Sequence, residues 1–297
     1  MRSPLTQPLP LAGERRHEGL TATALLAPAT IFVAICLLTP LAILFRYSLN
    51  DFVAAKKLMV EAVTVANYVR FFTDPYYTAI LWTTVRISVT VTAVCLVVGF
   101  PLAYVVARTQ SRFKHLLIIL IVLPLFVGNA VRAAGWMTVF GNKGFLNATL
   151  MGFGLIDTPL EIMFTEKAVS IGIIAVNLPF MVLSLQSVIE SIDRTVEEAA
   201  FGLGAPPLTM FRRVLWPLAM PGILSGTILT FILAMNAYAT PFLLGGPLFK
   251  MMAPLVYNQF TQQTNWPFGG AIAFILMTVT LTLTVAANLI LQRRNVP

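Results

Sequence analysis

Glu198-Ala199-Ala200-Phe201-Gly202-Leu203-Gly204 is the stretch of this chain with the most evident chemical use. It continues through Pro206-Pro207, Arg212-Arg213 and Val214-Leu215-Trp216-Pro217. A glutamate, two alanines, two glycines and paired arginines within about twenty-five residues do not make a catalytic set; they suit a capped helix presented to a partner. Catalysis finds no support elsewhere. The sequence holds no Gly-x4-Gly-Lys-Ser/Thr loop, no His-Glu-x-x-His and no Gly-x-Ser-x-Gly. Its two histidines are His17, in a polar tail, and His115, at the edge of an apolar run. Cys36 and Cys95 both fall inside apolar runs and read as small buried hydrophobes, not as a disulfide or metal pair.

A second set of candidates lies within the apolar runs themselves. Arg132 and Trp136 sit near one end of the third run. Asn177 and Gln186 share the fourth and are expected roughly on one face. Asn236, Tyr238 and Thr240 cluster in the fifth, ahead of Pro241. Polar groups inside a membrane are functional candidates by default, here as the lining of a pathway. The alternative for each is an interhelical hydrogen bond. Arg86 is expected to reach out to the membrane surface. No Asp or Glu occurs between Pro75 and Ile156, and none after Glu198. A cation crossing beside spans two, three, five and six would therefore meet only aromatic faces such as Trp136 and Tyr238. Arg86 and Arg132, if they face that path, favour an anion or zwitterion.

The elements that must position these residues follow from composition. The chain has 297 residues, 58% hydrophobic and 11% charged, with a mean hydropathy of +0.83. Soluble domains carry about 25% charged residues, so several long apolar runs in such a chain indicate an all-α, polytopic membrane protein. Residues 1–22 read as a poorly ordered tail, and residues 23–77 as a first span with an outer loop. Pro28 and Pro40 are candidate kinks in that span, and Val65–Phe72 a short interfacial helix. Residues 78–291 read as the main transmembrane domain, with spans at about 78–107, 115–140, 168–189, 221–243 and 271–291. Span two carries an interruption at Gly99-Phe100-Pro101, and residues 292–297 form a second tail.

Orientation follows from Lys and Arg. With the amino terminus inside, the inner segments carry Arg2, Arg15 and Arg16; Arg108, Arg112 and Lys114; Arg194, Arg212 and Arg213; then Arg293 and Arg294. That excess in short inner loops also accounts for the net charge of +8, and it puts both termini in the cytoplasm. The opening stretch is then cytoplasmic. Locally it reads as two short helices. Asp193 or Thr195 can cap the first, with Thr195-x-x-Glu198 as a capping box. Gly204 can take the left-handed terminal position, and Pro207 suits a first turn. Leu208, Phe211 and Leu215 form an apolar stripe on the second helix, and Met210 and Phe211 are expected to be exposed.

Glu198-Ala199-Ala200, three residues, Gly204, nine residues, then Val214-Leu215-Trp216-Pro217 resembles the EAA motif of type I ABC importer permeases, whose pattern is Glu-Ala-Ala-x3-Gly-x9-Ile-x-Leu-Pro. The spacing matches throughout; Val214 replaces Ile, and Trp216 replaces Leu while keeping an apolar side chain. The resemblance covers about residues 25–291 and is strongest to the spermidine/putrescine-type permease subunit. Gly202-Leu203-Gly204-Ala205, Leu244-Gly245-Gly246 and Asn265-Trp266-Pro267-Phe268-Gly269 add to it.

The resemblance implies a six-span MetI-like fold and the role of a transport subunit rather than an enzyme. It implies that Glu198, Ala199, Ala200, Gly204, Leu208, Met210 and Phe211 couple to a cytoplasmic ATPase dimer. ATP and Mg would be held by that dimer, and this chain would bind no cofactor or metal. The other implied partners are a second homologous permease, a periplasmic solute-binding protein and lipid, without nucleic acid. Polyamine is the leading cargo, while related permeases carry opine-like amino-acid derivatives, phosphonates, thiamine or ferric iron. An autonomous secondary transporter would need intramembrane acids or two repeats with broken helices. A lipid-modifying enzyme would need clustered Asp, His or Glu. Neither pattern is evident in the sequence.

Overall fold

In the computed structural model, residues 12–53, 58–247 and 249–293 are described, and side-chain burial is defined for residues 26–53, 58–247 and 249–289. Half of the expected tail, residues 1–11, lies outside them. Helix α1 (Ala12–Ser48) already begins at Ala12, so the first span is longer than expected. It carries Pro28 and Pro40 within a single helix. A small hairpin of β1 (Asp51–Val53) and β2 (Leu58–Val60) follows, with Asp51 opposite Val60. Then come α2 (Ala66–Thr73) and α3 (Pro75–Arg108). Asp74 caps α3 by accepting from the backbone N–H of Tyr76, and Pro75 occupies the first turn, where its missing N–H costs nothing. The helix runs unbroken through Pro101, so the interruption expected there does not form.

The third run does not make one helix. It divides into α4 (Lys114–Val122) with a tight turn at Leu123–Phe126, then α5 (Asn129–Phe140) and α6 (Phe145–Gly152). The two halves are bent by 98°. Pro124 and Gly128 mark the break. The fourth run is α7 (Glu166–Ser191), capped by the Thr165 hydroxyl.

The polar stretch forms α8 (Arg194–Gly202) and α9 (Pro207–Met210), a π-helical turn over Phe211–Leu215, and α10 (Trp216–Leu218). After a 70° bend comes α11 (Met220–Met235). Span five breaks again at Asn236–Tyr238 before α12 (Ala239–Leu244). Helices α13 (Met252–Thr261) and α14 (Trp266–Arg293) complete the fold. Among the described residues, four helices are long and apolar enough to cross a membrane, or up to six with each bent pair as one span.

The centre of the bundle is α3, α7 and α11. Their contact face holds Ile87, Val91, Cys95, Met181, Leu185, Ile189 and Ile223, all buried. Lipid is as apolar as these side chains, so close packing rather than exclusion from water must hold the helices together. Gly222 and Gly226, one turn apart on α11, allow it. A Cβ on Gly222 would lie 2.9 Å from Val188 Cβ, and one on Gly226 2.8 Å from Met181 Sδ. A second core of Phe71, Tyr77, Met252 and Phe268 joins α2, α13 and α14. Helix α1 packs chiefly on α14, with Phe45 edge-on to Phe274 at 5.2 Å, and otherwise faces outward. Cys36 is exposed on it, contrary to expectation; Cys95 is buried as expected.

Candidate functional site

Helix α8 starts at Asp193, whose carboxylate accepts the N–H of Thr195 at 2.9 Å and is thereby held below the usual aspartate range. Thr195 lies inside the helix, so the Thr195–Glu198 capping box does not form. At the other end Ala205 N–H bonds to Ala200 O at 3.0 Å and Gly204 N–H to Phe201 O at 2.9 Å. This pair of bonds is the Schellman closure, and it requires the left-handed φ of +79° that Gly204 supplies. Pro207 opens α9 as expected.

The corner so made has two faces. Inward, the carboxylate of Glu197 is buried and receives Arg108 Nε at 2.8 Å, Arg108 Nη2, and Tyr104 Oη at 2.9 Å. Arg108 Nη1 reaches Ile192 O at 3.0 Å, and Arg194 donates to Arg108 O. Lys114 pairs with Glu190 at 2.7 Å beside this latch. The end of α3 is thus joined to α8 by charge-assisted bonds that leave both charged groups satisfied.

Below it, Phe100, Phe211 and Trp216 form a ring cluster with centroids 5.1 to 5.8 Å apart. Met210 is only 5% exposed. The expectation that Met210 and Phe211 face outward is therefore corrected: both pack into the membrane bundle. Phe211 opens the π turn, in which Trp216 N–H bonds to Phe211 O. Its wider turn shifts the register, so Leu208, Phe211 and Leu215 do not form one stripe. Leu208 is 67% exposed while Leu215 is buried.

Outward lie Glu198, Ala199, Phe201, Leu203 and Leu208. Leu203, at the tip of the turn, is 90% exposed. Of the residues expected to couple, Glu198, Ala199, Gly204 and Leu208 share this outer face, and Ala200 is half-buried between the faces. Glu197, Arg108 and Tyr104 were not expected. Two adjacent glutamates give no sign in sequence of which one turns inward.

The second site forms where the two broken spans meet α7. Arg132, Asn177, Asn236, Tyr238 and Thr240 line one cavity of about 530 Å³, together with Asn129, Leu125 and Phe180. Five of the seven residues expected to line a pathway thus converge. Gln186 does not. Nine residues are about two and a half turns of helix, which puts it on the opposite side of α7 from Asn177. There it donates to Glu190 at 3.2 Å. Trp136 stacks on Phe140 at 4.8 Å against the core.

Arg132 Nη2 donates to Val127 O at 2.8 Å and to Pro124 O, closing the carbonyls freed by the break. Its Nε and Nη1, and Asn177 Nδ2, are buried without a partner. Tyr238 stacks with Phe242 at 5.4 Å and touches Tyr257. Arg86 lies elsewhere on α3, paired with Glu166 near the start of α7.

A helical bundle with a latched corner at one end and a polar cavity at broken spans has the build of a transport permease. Residues 59–296 match the family described as binding-protein-dependent transport system inner membrane component, and the chain belongs to that family. It is a multi-pass inner-membrane subunit of an ATP-binding-cassette importer, not an enzyme.

The chain is 35% identical over 235 residues to the spermidine/putrescine transport system permease protein PotB of Haemophilus influenzae, covering 78% of this chain and 82% of that one. The PotB of Escherichia coli K12 is 37% identical over 228 residues, covering 77% and 80%. Among solved structures, a bacterial alginate ABC transporter in complex with an alginate-bound periplasmic protein superposes with a TM-score of 0.73 at 19% identity, covering 96% of this chain and 98% of that chain. An amino acid ABC transporter gives 0.51 at 17% identity, covering 78% and 99%. These two likenesses bear on the fold alone.

Proposed function

We propose that this chain forms half of the translocation pathway of the importer, and that the α8–α9 corner docks into a cytoplasmic ATPase dimer. Both termini are then cytoplasmic, a reading that the Lys/Arg distribution supports. ATP and Mg are held by the ATPase subunits. A second, homologous permease completes the pathway, and a periplasmic binding protein delivers the solute. The named cargo of the PotB relatives supports a polyamine-like small amine.

The observation that carries the reading is the division of the corner into two faces. Leu203, Leu208 and Phe201 stand out around Glu198, on a turn held by its own capping bonds, the Glu197–Arg108 latch and the buried Met210. Exposed apolar side chains on a fixed turn are a partner surface. The latch passes displacement of that turn to the end of α3, and the ring cluster with the π turn passes it to α11. Closure of the ATPase dimer would then move the spans that wall the cavity.

Gly204→Asp tests this in proteoliposomes containing the assembled importer. A side chain at φ +79° strains the turn, so ATP-driven uptake should be abolished while membrane insertion and subunit expression persist. Uptake at the normal rate in that variant would refute the coupling role.

A further inference from the structure

The ring cluster closes only part of the space between α3 and the corner. A groove of about 540 Å³ remains there, with Leu96, Phe100 and Tyr104 on one wall and Met210, Phe211 and Trp216 on the other. The three α3 residues stand at i, i+4 and i+8, so the groove follows that helix for about 12 Å. The uncharged stretch of α3 from Ile87 to Ala107 is about as long as the hydrocarbon core of a bilayer is thick, and the groove takes up its half nearer Arg108. The groove is open sideways: Val97, which also lines it, is 73% exposed. Its walls are almost wholly apolar, and the Tyr104 hydroxyl is already bonded to Glu197 at 2.9 Å. Water finds few partners in such a space, whereas an acyl chain gains the dispersion contacts that an empty groove forfeits.

Cations follow directly on this wall. Arg212 and Arg213 come next after Phe211 in the π turn, are exposed, and make no ion pair among the described residues. No acidic residue follows Glu198 in the chain to neutralise them locally. Trp216, between the groove and the paired arginines, is of the type favoured at the level of lipid headgroups. We infer that the groove binds one acyl chain of an anionic phospholipid, whose phosphate is held by Arg212 and Arg213. The lipid comes from the leaflet on the corner's side and lies against Phe100, Phe211 and Trp216, the rings that join α3 to the π turn.

Phosphatidylglycerol and phosphatidylcholine with the same acyl chains differ only in the headgroup, which makes them the probes. The full importer complex is released from nanodiscs containing equal amounts of both, and native mass spectrometry counts the lipids that stay bound. A phosphatidylglycerol should be retained for each copy of this chain, at least about tenfold over phosphatidylcholine, the scale that two arginines near an anionic headgroup supply. Arg212→Gln together with Arg213→Gln should bring the two lipids level. Val97→Trp should fill the groove from its open side and expel the lipid whatever its headgroup.

Val97 and both arginines are exposed, so these changes leave the core alone. Lipids held by other subunits do not respond to them, and the readout is the difference between parent and variant. Equal retention of the two lipids by the parent, an unchanged ratio in the arginine variant, or an unchanged count in Val97→Trp would each overturn the inference. An ATPase side chain lodged in the groove would give the last of these results. The lipid site needs only a chain that lies in the membrane, so its failure would leave the coupling role to be decided by Gly204→Asp.

Discussion

Arg108 and Arg132 are both partly buried arginines at points where a span ends or breaks, and they are treated in opposite ways. Arg108 has Glu197 and the Ile192 carbonyl around it, and its partner carboxylate is completed by Tyr104. Arg132 has two carbonyls on one nitrogen and nothing on the other two. A satisfied network fixes geometry, because every alternative arrangement loses bonds in a low-dielectric setting. An unsatisfied one carries a desolvation cost and fixes less. The first arginine therefore fixes the end of α3 against α8, which is what the proposed coupling role needs. The second lies at the broken span, in the wall of the cavity.

Breaking the first network should have the largest effect. Glu197→Ala leaves Arg108 buried without its counter-charge. It should destabilise the chain by about 3 kcal/mol, seen as a lower melting temperature in detergent and as ATP hydrolysis uncoupled from uptake. Unchanged stability would mean that the latch does not hold the corner.

Next in size is Gly226→Leu on α11. A Cβ there already lies 2.8 Å from Met181 Sδ, so overpacking should cost about 2 kcal/mol. Thermal unfolding would report it, and a variant as stable as the parent would show that α7 and α11 can separate freely.

Leu203→Asp separates the two faces of the corner. At 90% exposure its loss should change stability by no more than about 0.5 kcal/mol, yet it should weaken recovery of the ATPase with the permease. Met210→Ser, on the buried face, should do the reverse: lower stability with the docking surface intact. If both variants behaved alike, the two-face description would fail.

The smallest effect concerns Asp193. Its carboxyl lies below its ordinary value of 3.8, chiefly because it accepts the Thr195 backbone N–H. A depressed folded-state value means that the cap stabilises the fold above pH 3.8 and ceases to do so as pH falls through the lower folded value. The melting temperature of Asp193→Ala should thus sit slightly below that of the parent at pH 7, with the gap closing on strong acidification. A gap independent of pH would point away from the carboxylate.

Several features of the corner were legible in the sequence because they depend on local chain geometry. Gly204 is required by a left-handed turn, Pro207 by a first helical turn, and the motif spacing by two short helices. The apolar runs likewise follow from what a bilayer tolerates. The two broken spans were harder to read. Pro124 with Gly128, and Asn236-Ala237-Tyr238 ahead of Pro241, are the signals that could have placed them. An apolar run interrupted by one or two such residues is also compatible with a kinked but continuous helix, as α3 shows at Pro101.

By itself, the sequence determined that this chain is a polytopic helical protein, that spans two, three, five and six lack carboxylates, and that a capped turn stands between spans four and five. Periodicity and capping are properties of a few neighbouring residues, so they survive without knowledge of the fold. Only the tertiary structure decided that Glu197 rather than Glu198 turns inward to Arg108, 89 residues away. It also turned Met210 into the bundle and brought Arg132, Asn177 and Asn236 to one cavity. Each of those outcomes depends on which helix lies opposite. That is set by how the helices pack, above all by the close approach of α3, α7 and α11, and no short stretch of neighbouring residues encodes it.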